Sequence, residues 1–274
     1  MAEGDLTVTQ LEATPVLATA VAAMDAANTS LVTDKVKLHF IPGSKPYFYV
    51  TKYAREAAPG WTYDTEHTAD ANTILLLHLE DNAANTTVVN SGSGGNGATE
   101  AANTSTLSSA GKFNNGFTFA DAEGISMTTE ANFRIAGSMT VEAWIYPHAV
   151  AGYKQIVWKM YAAAGQKNYD LDISEHTAKR ISFNRDNAAE RKVWGDADLN
   201  TNQWYHVAGV FSKTTGMALF IDGVKQAQTE ANTDDTFTNV TPQTCRIGKT
   251  DDVFGAHFDG IIDEVAVSNT VRYT

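Results

Sequence analysis

The stretch "QWYHVAGVFSKTTGMALFIDGVKQAQT", residues 203–229, decides the fold class. Trp204, His206, Ala208 and Val210 alternate against Tyr205, Val207, Gly209 and Phe211, the period of two that a strand imposes. Both sets carry bulk, as expected where two sheets stack and loops partly cover their outer faces. Asp222-Gly223 then separates "ALFI" from "VKQAQ", a favoured two-residue hairpin loop. The same texture runs outward in both directions. "MTVEAWIYP" (139–147) sets Val141, Ala143 and Ile145 against Glu142, Trp144 and Tyr146. "TILLLHLE", "GFTFA", "KQIVWKMY", "NYDLDIS", "RISFNRD" and "GIIDEVAVS" are further short runs punctuated by Gly, Asn and Asp. About a dozen such runs from Thr73 onward, with no helical pattern among them, predict an all-β sandwich or barrel. The loop "NSGSGGNG" (90–97) cannot pack a core.

The first 70 residues read differently. "TPVLATAVAAMDAAN" (14–28) predicts a short helix, with Thr14 as N-cap and Pro15 at its first position. "KVKLHFIPGSKPYFYVTKY" (35–53) predicts a hairpin broken at Pro42, Gly43 and Pro46, and "REAAPGWTYDTEHTADAN" (55–72) a linker. The expected organisation is an N-terminal docking or oligomerisation element over 1–70 and a β-domain over 71–274.

Composition narrows the partners. The chain has 274 residues, 43% of them hydrophobic, with 20 basic against 32 acidic side chains and a net charge of −12. Nucleic-acid binding needs clustered Lys and Arg and is disfavoured. Cys245 is the only cysteine, which excludes an internal disulfide and a Cys-rich zinc site. The N-terminus places acids before any basic residue and lacks an apolar core, unlike a signal peptide. No run approaches the roughly 20 apolar residues of a membrane span.

In order, "TILLLHLE", "GFTFADAEGISMT", "MTVEAWIYP", "NQWYHVAGVF", "MALFIDGVKQ" and "FDGIIDEVAVSNTVRYT" resemble the laminin-G-like jelly rolls of the concanavalin A-like lectin/glucanase superfamily. The resemblance covers residues 73–274. It implies a jelly-roll β-sandwich, here with a small N-terminal α+β element, and a lectin-like or glucanase activity. A short docking element ahead of a lectin-like domain, without a signal peptide, also resembles virion proteins of tailed bacteriophages. The expectation is a non-enzymatic capsid-decoration or tail-associated protein, released by lysis and displayed in multiple copies. It would hold virion proteins through residues 1–70 and a cell-surface glycan through the jelly roll. The alternatives are a glucanase-branch glycoside hydrolase and a free carbohydrate-binding module.

Sugar sites combine exposed aromatics with hydrogen-bonding groups. The candidates are Tyr153, Tyr161, Trp194, Asp251, Asp252, Phe254 and His257, whereas Trp144 and Trp204 read as core. "DLDISE" nearly matches the glucanase acid triplet through Asp170, Asp172 and Glu175, but its first acid is Asp where the family has Glu. Retaining chemistry needs the outer carboxylates about 5–5.5 Å apart, and the reading here is non-catalytic. In the closing stretch Asp263 shares an alternation stripe with Ile261, Val265 and Val267. A carboxylate on a buried stripe needs a partner. Either backbone N–H groups of a neighbouring loop cap it, or it holds Ca2+, which takes six to eight oxygens. The glucanase branch implies a structural calcium shared with the acids after the first strand, here Glu80 and Asp81. His67, His78 and His206 have no ligand spacing in sequence and read as satisfied core or surface histidines.

Overall fold

The computed structural model describes residues 35–41, 47–53, 65–120, 123–159, 168–174, 179–185, 191–231, 244–250 and 256–274. The chain divides into two compact units, Met1–Glu56 and Ala57–Thr274. In the first, β1 (Lys35–Ile41) and β2 (Tyr47–Tyr53) pair antiparallel without a break, as the sequence predicts. The predicted helix over 14–28 lies outside the described residues.

In the second unit β3 (Thr73–Leu77), β4 (Thr87–Val88), β5 (Gly97–Thr99), β6 (Ser108–Ala110), β7 (Asn115–Phe119), β8 (Ile125–Met127) and β9 (Met139–Pro147) come first. Then follow β10 (Lys154–Lys159), β11 (Tyr169–Ser174), β12 (Arg180–Asn184), β13 (Lys192–Trp194) and β14 (Tyr205–Ser212). β15 (Gly216–Ile221), β16 (Val224–Glu230), β17 (Arg246–Ile247) and β18 (Gly260–Ser268) complete it. A front sheet runs β13-β12-β11-β10-β17-β8-β5-β4, and a back sheet β16-β15-β14-β9-β18-β7-β6. In the back sheet β7 flanks the first half of β18 and β3 the second. All pairings are antiparallel, so the domain is a jelly-roll-like sandwich. Where no helix was predicted, one turn of α-helix (Thr104–Leu107) and one of 3-10 helix (Glu130–Phe133) occur.

Alternation explains the core. Val157, Leu171, Phe183 and Val193 of the front sheet meet Val141, Ala143, Val207 and Leu219 of the back sheet in one buried cluster. Gly209 is needed for this approach: a Cβ there would lie 2.2 Å from Cγ of Phe183. At the predicted hairpin, Asp222 (φ +50°) and Gly223 (φ +75°) both take the left-handed conformation of a type I′ turn.

A smaller core covers the outer face of the back sheet, built from Leu76, Trp144, Ala208, Val210, Phe220, Ala266 and Tyr273. Trp204 and Ala69 pack against it, so the two tryptophans expected in the core lie here, outside the space between the sheets. Residues 65–72 form a strap onto this face. The Arg272 guanidinium grips the Asp70 carboxylate with two contacts of 2.6 Å and holds it well below the usual carboxylate range. The backbone N–H of His67 donates to Glu264 at 2.7 Å. The β-domain therefore reaches back beyond the predicted boundary at residue 70, into what composition suggested was linker.

The closing strand also departs from its predicted register. β18 pairs with β9 as Asp263↔Trp144, then resumes as Ala266↔Glu142, with one more residue in β18 than in β9. This β-bulge includes Glu264 at φ +48°. Ile262, Val265 and Val267 therefore face the core, while Ala266 joins the outer cluster. The predicted stripe joining Ile261 and Asp263 to Val265 and Val267 is broken, because the extra residue shifts the alternation.

Candidate functional site

Strand pairing sets a polar row across the outer face of the front sheet. Trp194 stands opposite Ser182, Ser182 opposite Asp172, and Asp172 opposite Gln155. One step along, Asn184, Asp170, Trp158, Arg246 and Ser126 form a second row. The Asn184 amide donates to Asp170 at 2.5 Å, and the Ser182 hydroxyl donates to Asp172. Both aspartates are buried. Further along, Glu100 takes contacts from Arg246 (3.1 Å), Lys249 (2.6 Å) and the Ser126 hydroxyl. Burial works against the Glu100 charge, and Lys249, Ser126 and Arg246 more than offset it. These rows follow from pairing "KQIVWKMY" with "NYDLDIS" and "RISFNRD". Sequence alternation shows each strand's faces but not which strands are neighbours, so Trp158, Ser182, Asn184 and Arg246 were missed.

Trp194 ends the first row on the edge strand β13, with 42% of its surface exposed. Its backbone and the residues after it are bonded to β16. Its backbone N–H donates to the Gln228 side chain at 2.9 Å, that of Asp196 donates to Gln226 at 3.0 Å, and the Asp196 carboxylate accepts from Ala227 N at 2.9 Å. These bonds tie the front-sheet edge to the back-sheet edge and fix the backbone that carries the exposed indole. Tyr153 is 46% exposed and immediately precedes β10, whose Gln155 completes the same row. His257 is half-buried, bridged to Lys249 across the sheet. Tyr161, Glu175, Asp251, Asp252 and Phe254 lie outside the described residues.

Glu80, Asp81 and Asp263 do not fit a shared calcium. One Asp263 oxygen accepts from Lys112 N (2.8 Å) and Phe113 N (2.9 Å), and the other from Glu264 N (2.8 Å). Amide protons thus face the carboxylate where a cation would sit. Glu80 instead accepts from the Asn114 amide at 2.7 Å, and Asp81 from Val89 N. Among the described residues these three carboxylates form no ligand cluster. The capping arrangement, one of the two sequence-level solutions, is the observed one.

The histidines, in contrast, converge. His206 Nε2 lies 3.0 Å and His67 Nε2 3.9 Å from Glu142 Oε2, and the Tyr273 hydroxyl donates to that same oxygen. All four residues are buried, His67 on the strap and the other three on the back-sheet side. Nearby, His78 Nδ1 sits 2.6 Å from Glu264 and 3.7 Å from Glu66, and the bond to Glu264 raises the His78 pKa. His67 and His206 are buried, in keeping with the core reading, and strand pairing and the strap set the three histidines beside carboxylates far away along the chain.

Two antiparallel sheets, an apolar layer between them and a polar outer face define a lectin-like jelly roll. Residues 119–273 match the family described as the concanavalin A-like lectin/glucanases superfamily, and the chain belongs to it. Domain 4 of AbnA, a GH43 extracellular arabinanase from Geobacillus stearothermophilus solved with arabinotriose, is similar at TM-score 0.54 and 16% identity, covering 75% of this chain and 96% of that one. The binding domain of botulinum neurotoxin DC, solved with rat synaptotagmin II, gives 0.51 and 13%, covering 73% and 48%. The receptor-binding domain of the botulinum neurotoxin C/D mosaic serotype gives 0.51 and 17%, again covering 73% and 48%. This chain thus spans about half the length of the two toxin domains. No curated protein matches the sequence.

Proposed function

We propose that the jelly roll is a carbohydrate-binding module without catalytic activity of its own, displayed on a larger assembly such as a virion surface. One observation carries the binding reading: the exposed Trp194 indole, fixed on an edge strand beside Asp196, Gln226 and Gln228. An indole face stacks on a pyranose or furanose ring, while neighbouring amides and carboxylates bond its hydroxyls. The arabinanase domain of similar fold was solved with arabinotriose, so short oligosaccharides are the first ligands to test. Asp170 and Asp172 support a structural role, since each is buried against a hydrogen-bonding partner on β12.

A glycan array followed by titration calorimetry tests the proposal. Trp194→Ala is expected to weaken binding about 10-fold, roughly 1.4 kcal/mol, and to shift stability by no more than about 0.5 kcal/mol because the side chain is exposed. Unchanged binding in that variant would move the site elsewhere. Release of reducing ends that disappears in Asp170→Asn would establish the hydrolase reading instead.

A further inference from the structure

Beneath the strap, side chains from three parts of the chain meet on the outer face of the back sheet. Glu142 of β9 and His206 of β14 are neighbours because β9 and β14 pair as Trp144↔His206 and Glu142↔Ala208. His67 arrives from the strap, anchored by its own backbone N–H on Glu264 and by Asp70 on Arg272. The donor atoms of the three lie within 4.8 Å of one another, and all three residues are buried. A tetrahedral zinc about 2.0–2.1 Å from its ligands sets them about 3.4 Å apart. The two separations from Glu142 Oε2, 3.0 and 3.9 Å, bracket that value.

Donor chemistry selects the ion. Two imidazoles and one carboxylate suit Zn2+ and its first-row neighbours, whereas Ca2+ and Mg2+ call for oxygen shells. We propose that His67, Glu142 and His206 form a three-ligand zinc-class site, its fourth position taken by a water, that fastens the strap, residues 65–72, to the back sheet. Tyr273 orients the Glu142 carboxylate, as outer partners of metal ligands do. A cation at this point would add to the contacts that Tyr273 and His206 already make with the buried Glu142 carboxylate. The Glu66, His78 and Glu264 cluster is the rival location, with one imidazole, two carboxylates and greater exposure.

The full chain, stripped of metal by chelation, is titrated with Zn2+ and separately with Co2+. One zinc retained per chain through gel filtration, a raised melting temperature and visible cobalt bands of tetrahedral intensity are expected. His67→Ala should weaken zinc binding by more than about 100-fold, since losing an outer partner alone costs about 10–100-fold. His78→Ala should weaken it far less than His67→Ala, because His78 reaches the site only through Glu264, which anchors the His67 backbone. Substoichiometric zinc, or loss of zinc in His78→Ala but not in His67→Ala, overturns the assignment. Should His67→Ala fail to fold, X-ray absorption at the zinc edge of the unaltered chain decides. Two imidazoles in the shell support the site; one or none overturns it.

Discussion

Asp263 offers two oxygens to three backbone amides in a setting nearly closed to water. Burial, the largest influence, together with the Glu264 charge, outweighs those amides and raises its pKa to about 7. The folded chain therefore holds a proton that the unfolded chain releases near pH 4. The stability this confers is fully present below that pH and is lost as pH rises through about 7. Asn at this position does not titrate, so the melting-temperature advantage of the native chain over Asp263→Asn should shrink between about pH 4 and 7 and level off above that. A flat or growing difference would mean that the native aspartate is ionised throughout. The need for a buried partner at Asp263 was legible from its neighbours, but the partner was not. Lys112 and Phe113 reach it through a turn 150 residues away, and no local pattern encodes that meeting. The histidine cluster was hidden for the same reason, since periodicity fixes a residue's face and leaves its neighbouring strand open.

Among the elements, β14 and β15 were almost fully legible. Alternation gave the two faces of β14, though not which one is inner, and Asp222-Gly223 gave the turn that joins β15 to β16. Gly209 looked like one more member of the alternation, yet it is where Phe183 of the front sheet crosses closest. Gly209→Ala is expected to cost about 1–3 kcal/mol through overpacking, read by urea unfolding. Phe183→Leu in the same chain should recover part of that loss, a coupling visible in a double-mutant cycle. Simple additivity would show that the two sheets adjust independently. The bulge in β18 was not legible. Its sequence alternates without interruption, and only pairing with β9 reveals the extra residue.

At the scale of the molecule, the division into Met1–Glu56 and Ala57–Thr274 allows the proposed docking and display roles to be tested apart. A chain beginning at residue 57 should keep the melting transition of the β-domain and its oligosaccharide affinity, and lose any incorporation into particles. Loss of folding would instead make the first unit part of the β-domain's stability. The composition shift near residue 70 marked two parts, but not that residues 67–70 belong to the second. The ties to Glu264 and Arg272 that place them there come from the far end of the sequence. That arrangement also governs how the protein is made. β18 lies between β9 on one side and β7 and β3 on the other, so a late-synthesised strand fills the middle of the back sheet. At about 5–20 residues per second, β3 waits roughly 10–40 s for its partner to leave the ribosome. Throughout that interval the nascent back sheet has an open slot with exposed backbone edges on both sides. A chaperone, or slow release from the ribosome, would act on that slot.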